Sequence, residues 1–117
     1  MNELGRFTAP PHPHMAKHTP EQDIKNELKK YIEQIGGYWC AVTGGAWSKP
    51  GDPDIVACVD GRFIGIEAKT PDGRLKQDQI ERKEEIEDAH GIYLVIRSKE
   101  QLAEEFGRRG LVQDSGR

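Results

Sequence analysis

A single apolar stripe near the start of the chain predicts the first helix, from residue 20 to about residue 35. Its members are spaced four, four and three residues apart and are Ile24, Leu28, Ile32 and Ile35. Thr19 stands before Pro20, and Gln22 occupies the third helical position, a combination typical of a capping box. Gly36-Gly37 follows the last apolar position and predicts the end of the helix.

Four short apolar runs predict strands at residues 38–43, 54–59, 63–69 and 92–96. Asp60-Gly61 separates the second run from the third and is a turn signal that joins antiparallel strands in a hairpin. Two further helices are predicted at residues 75–89 and 98–107. The order α-β-β-β-α-β-α predicts an α/β fold, with a mixed β-sheet and helices packed against it.

The length of 117 residues is that of one domain, which we place at residues 19–107. Residues 1–18, rich in proline and histidine, are expected to form a flexible arm, and residues 108–117 a flexible tail. Cys40 and Cys58 have apolar neighbours and are expected to be buried free thiols. No membrane-spanning run or secretory signal is visible, so we expect a cytoplasmic protein without membrane contact.

Seventeen basic residues against 20 acidic ones give a net charge of −3. This balance argues against a protein that coats polyanions generally, although it allows a local basic groove.

Charged residues stand where the third strand should be buried. Glu67 and Lys69 share one face of this strand, because side chains alternate between faces. On this strand alone, a solvent-exposed face explains the two charges equally well. Hairpin pairing about Asp60-Gly61 brings Asp54 opposite Glu67, since 54 and 67 are equally distant from the turn.

Two carboxylates that close together would repel each other, and a hard divalent cation is the usual remedy. Lys69 could then orient a water molecule or stabilise the charge that develops when a phosphate is attacked.

The helix at residues 75–89 has a partly polar inward stripe. Its members are Leu75, Gln79, Lys83, Ile86 and His90. Lys83 and His90 are expected at an edge with their polar groups in water, whereas Gln79 is expected to face a site.

The segments Gly51-Asp52-Pro53-Asp54 and Glu67-Ala68-Lys69 resemble the PD-(D/E)XK motif of restriction-endonuclease-like nucleases. The arrangement is most similar to the virus-type replication-repair nuclease (VRR-NUC) domain, whose first helix carries a Glu and whose second carries a Gln. Glu21 and Gln79 match these positions, with Glu27 and Gln77 as alternatives.

The resemblance implies Mg²⁺ or Mn²⁺ held by Asp54, Glu67 and the Ala68 carbonyl, with Glu21 acting through water. It also implies that Lys69 lies at the attacking water and that Gln79 belongs to the catalytic set.

A basic rim around this site would explain how DNA approaches an acidic protein. Its members would be Lys49, Arg62, Arg74, Lys76, Arg82 and Lys83. Trp47 could stack on an exposed base or anchor its own loop.

The leading hypothesis is therefore a metal-dependent DNA endonuclease, working as a homodimer. By analogy with stand-alone relatives it would act on branched DNA such as four-way Holliday junctions, in viral or prokaryotic replication, recombination or repair. The alternatives are a catalytically weak DNA-binding module on the same fold, and a small assembly protein whose charged strand is merely wet.

Overall fold

The computed structural model describes residues 19–45 and 48–113, which form three helices and four strands. The helices are α1 (Pro20–Gln34), α2 (Gln77–Asp88) and α3 (Lys99–Arg108). The strands are β1 (Tyr38–Ala41), β2 (Ile55–Val59), β3 (Arg62–Ala68) and β4 (Ile92–Ile96). Their order along the chain confirms the predicted α/β class. The predicted N-terminal arm and Trp47 lie outside the described residues.

The strands form a mixed sheet in the order β1-β2-β3-β4. β1, β2 and β3 are antiparallel neighbours, and β4 pairs with β3 in parallel after the α2 crossover. Ile55 lies opposite Ile66, which is the register predicted from the turn. Asp60 and Gly61 form this turn with φ values of 53° and 78°. Positive φ at both central residues matches the right-handed twist of the flanking strands.

The main hydrophobic core lies between one face of the sheet and the pair α1 and α3. Fully buried side chains from both sides meet there, among them Leu28, Ile32, Ile64, Ile66, Leu102 and Phe106. The opposite face carries α2, which has no buried residue. The contact between α2 and the sheet includes polar groups, among them Gln79 and Glu67, which form a hydrogen bond.

The packed part of the chain extends beyond residue 107, where the sequence predicts the domain to end. Leu111 is only 7% exposed and belongs to the core cluster. Its N–H donates to the carbonyl of Phe106 at 2.9 Å, and Gly110 has a φ of 75°. A glycine in the left-handed conformation thus ends α3 and turns the chain back onto the core.

One half of the predicted capping box at α1 forms. Thr19 Oγ1 accepts the N–H of Gln22 at 3.0 Å, as expected for an N-cap. The Gln22 side chain instead donates to Asn26 Oδ1 at 3.1 Å.

The prediction of buried thiols is wrong, because Cys40 and Cys58 are both exposed and free. Cys58 alternates along β2 with the buried residues Ala57 and Val59 and so points to the α2 side of the sheet. α2 packs against β4, which is the edge strand opposite to β1 in the sheet order. The positions of Cys40 and Cys58 on this face therefore remain open to solvent.

Candidate metal and catalytic site

Three carboxylates from three different elements converge at one end of the sheet. Glu21 comes from the first turn of α1, Asp54 directly precedes β2, and Glu67 is near the end of β3. Each offers an oxygen, and the three oxygens lie within 4.8 Å of one another. The hairpin register explains how Asp54 and Glu67 meet, and α1 adds the third group across the sheet.

Asp54 is held in place by a hydrogen bond from the backbone and by the packing of the proline before it. Its Oδ2 accepts the N–H of Ala68 at 2.9 Å, which ties the start of β2 to the end of β3. Pro53, buried just before it, packs over Gly65 of β3. A Cβ on Gly65 would lie 2.9 Å from Pro53 Cγ, so this packing depends on the missing side chain.

Glu67 is 3% exposed and Lys69 is 9% exposed, so the hypothesis of a wet strand face is wrong. Glu67 Oε2 accepts from Gln79 Nε2 at 2.9 Å and lies 3.5 Å from Lys69 Nζ. Burial and, after it, the nearby charge of Asp54 raise the pKa of Glu67 to about 7, against the opposing effect of the Lys69 ammonium. Its other oxygen, Oε1, is buried and has no hydrogen-bond partner among the described residues.

Gln79 links this carboxylate to the start of α2. Its Oε1 accepts the N–H of Lys76 at 2.8 Å, while its Nε2 donates to Glu67. The Gln79 amide therefore accepts from a backbone N–H that has no acceptor within the helix, and at the same time it orients the Glu67 carboxylate.

Gly51 brings the loop before Asp54 into direct contact with α2. Its φ is +89°, and a Cβ there would lie 2.2 Å from the carbonyl oxygen of Asp78. Only glycine combines this conformation with such a close backbone approach. The two sequence segments that carry the site are thus packed directly against each other.

The structure brings Glu21 and Gln79, rather than the alternatives Glu27 and Gln77, to the cluster. Glu27 is exposed and borders a surface hollow with Lys30. Gln77 is exposed at the first position of α2.

Two residues at the site have no counterpart in the sequence prediction. Lys25 Nζ lies 3.6 Å from Asp54 Oδ1, and its position four residues after Glu21 is a signal that helical spacing could have supplied. Tyr93 is opposite Gly65 in β4, and its buried hydroxyl has no hydrogen-bond partner among the described residues. Burial and the charge of Glu67 raise the pKa of Tyr93. Nothing distinguishes Tyr93 from a core residue in the sequence.

The predicted basic rim is only partly present. Arg74 and Lys76 are exposed just before α2, near Gln79, and neither has an ion-pair partner among the described residues. Lys49 is also exposed, with its Nζ 3.6 Å from Glu85 Oε1. These three residues remain candidates for phosphate contact.

The other three basic residues of the predicted rim are placed or engaged differently. Arg62 begins β3 at the turn end of the hairpin, about 17 Å along the strand from Glu67. Arg82 has a side chain that is only 14% exposed and donates to the carbonyl of Pro50 at 3.0 Å. Lys83 Nζ pairs with Glu87 Oε2 at 2.7 Å. Arg62 is thus too distant, and the other two support α2 and its contact with the loop.

Fold and site together define an α/β domain with a mixed four-stranded sheet and a carboxylate cluster at one end of it. A search of solved structures finds a VRR-NUC domain that superposes with a TM-score of 0.65 at 20% sequence identity. The match covers 74% of this chain and 94% of that one. The chain therefore has the VRR-NUC fold, as the sequence motifs predict.

No family model and no curated protein matches the sequence. Within the described residues, no helix is both long and apolar enough to cross a membrane.

Proposed function

We propose that this chain is a metal-dependent nuclease that hydrolyses phosphodiester bonds in DNA. The observation that carries the proposal is the carboxylate cluster of Glu21, Asp54 and Glu67 beside the buried ammonium of Lys69, on a VRR-NUC fold. Carboxylates alone would repel one another at these distances. A divalent cation bound between them would offset this repulsion and could also bind a phosphate of the substrate.

The residues fit Mg²⁺ or Mn²⁺, which prefer oxygen ligands. Asp54, Glu67 and the Ala68 carbonyl would hold the ion, with Glu21 contributing through water. The buried and unpartnered Oε1 of Glu67 supports this assignment, because such an atom is costly unless a ligand occupies its free side. When bound, the ion supplies positive charge to the phosphate and lowers the pKa of a coordinated water.

Lys69 and Gln79 would prepare the site for hydrolysis. The Lys69 ammonium, fixed beside Glu67, can orient the attacking water and stabilise negative charge as it develops on the phosphate oxygens. Gln79 keeps the Glu67 carboxylate in one orientation through its hydrogen bond.

DNA would lie across the exposed side of the cluster, with Arg74, Lys76 and Lys49 contacting phosphates. We propose endonuclease action on branched DNA by a homodimer. The described residues provide one carboxylate cluster. Cutting two strands of a junction requires two such clusters, one from each protomer.

Cleavage of labelled linear, flapped and four-way junction DNA tests this function. Wild type should cut with Mg²⁺ or Mn²⁺ and stop in EDTA, and Lys69→Met should cut about 100-fold more slowly. Arg62→Met removes a positive charge from the far end of the same strand and should cut like wild type. Equal cutting by Lys69→Met and wild type would refute the role of Lys69. Binding of DNA without cutting by wild type would identify a catalytically weak binding module instead.

A further inference from the structure

A second ammonium group lies at the carboxylate cluster and belongs to α1, whereas Lys69 directly follows β3. Lys25 follows Glu21 by one turn of α1, and its Nζ is 3.6 Å from Asp54 Oδ1. The Lys25 and Asp54 side chains are 26% and 22% exposed, so the pair is half-buried at the mouth of the site. Lys69, in contrast, is deeply buried and pairs with Glu67.

The net charge of the site indicates a role for the Lys25 ammonium. Three carboxylates and two ammonium groups leave a net charge of −1 when all are ionised. A divalent cation would change this to +1, which a phosphodiester of charge −1 would neutralise. In this state Asp54 would face the cation, and the Lys25 ammonium would be repelled from its present position.

Lys25 can respond to this repulsion because a lysine head group sits on a flexible four-carbon stem. Its half-exposed position leaves a path toward solvent, where the nucleic-acid backbone would lie. Lys69 has no such path, since it is almost completely enclosed.

We propose that Lys25 is an exchangeable cation of the site: it neutralises Asp54 before metal binds and contacts a phosphate of the nucleic-acid backbone afterwards. This proposal rests on the proposed nuclease function for its second half. Its first half concerns only the protein and the metal ion.

Two measurements on Lys25→Met test the proposal, with Lys30→Met, an exposed lysine further along the same helix, as the matched control. The first is calorimetric titration with Mn²⁺ in the absence of DNA. Lys25→Met should bind Mn²⁺ about tenfold more tightly than wild type, because the competing charge is gone. Lys30→Met should bind like wild type, and thermal melting in EDTA establishes that both variants fold.

The second measurement is junction-DNA binding by fluorescence anisotropy over a salt series, with Ca²⁺ as the cation. Lys25→Met should bind more weakly, and the slope of log affinity against log salt should fall by about one phosphate contact. Lys25→Arg, which keeps the charge, should restore the slope. Unchanged Mn²⁺ affinity, or an unchanged salt slope, in Lys25→Met would overturn the proposal. Failure of wild type to cut any DNA would instead refute the nuclease function, and the Mn²⁺ titration would still decide whether Lys25 competes with the cation.

Discussion

The charge on Glu67 should destabilise the metal-free protein. Burial and Asp54 raise the pKa of this carboxyl to about 7, whereas its ordinary value, expected in the unfolded chain, is 4.5. Between these two pH values the folded state holds a proton that the unfolded state has lost, so the free energy of unfolding falls as pH rises. At about 1.4 kcal/mol per pH unit, the Glu67 contribution to the free energy of unfolding should fall by about 3 kcal/mol across this interval.

Glu67→Gln removes this titration while keeping a hydrogen-bonding group of similar size. Denaturant unfolding in EDTA, repeated from below pH 4.5 to above pH 7, gives the free energy of unfolding of both proteins. The free energy of unfolding of the variant should rise by about 3 kcal/mol relative to that of wild type over this range. This difference isolates Glu67, because the contributions of all other groups cancel. Glu104→Gln, on the exposed side of α3, should show no such change.

A difference between Glu67→Gln and wild type that stays constant with pH would refute the reasoning, since it would mean that Glu67 is better solvated than its burial implies. A difference of opposite sign would mean that the attraction of Lys69 outweighs burial. Above pH 7, Mg²⁺ at a hundred times its dissociation constant should raise the free energy of unfolding of wild type by about 2.7 kcal/mol. The same concentration should raise that of Glu67→Gln by much less.

Three further predictions follow from the packing and the exposed charges. Gly51→Ala should lower the free energy of unfolding by about 3 kcal/mol or more, because Gly51 has a positive φ and lies close to the Asp78 carbonyl. Gly44 has open space around it, so Gly44→Ala should be nearly neutral. Denaturant titration of both variants checks this prediction. Replacing Arg74 and Lys76 together by methionine should lower the salt slope of DNA binding by about two phosphate contacts, and an unchanged slope would exclude them from the DNA path. Both cysteines should react with a chromogenic thiol reagent in the folded protein, and protection until unfolding would contradict their exposure.

Much of the fold was predictable because local signals and long-range pairing agree. Asp60-Gly61 fixes the turn of the hairpin, and the turn fixes which residues of β2 and β3 are opposite. The approach of Asp54 to Glu67 follows from that register alone. The choice between Gln79 and Gln77 did not follow, since helix boundaries are uncertain by one or two residues and each shift turns the helix by 100° per residue.

Other features depend on how elements pack, which one sequence does not specify. Cys58 has apolar neighbours, yet it is exposed because α2 packs against β4 and does not cover this position of β2. Arg62 is close to Glu67 in sequence, yet an extended strand separates them in space. Lys25 reaches Asp54 only because α1 crosses the end of the hairpin.

The two-ended contact of Gln79 has a consequence for the cooperativity of the site. Fraying of the first turn of α2 would free the Gln79 amide and, with it, the orientation of the Glu67 carboxylate. Formation of the first turn of α2 and orientation of the Glu67 carboxylate are therefore coupled through one side chain. Substitutions that strengthen the beginning of α2 should therefore also hold the Glu67 carboxylate more firmly in place, without altering any carboxylate of the cluster.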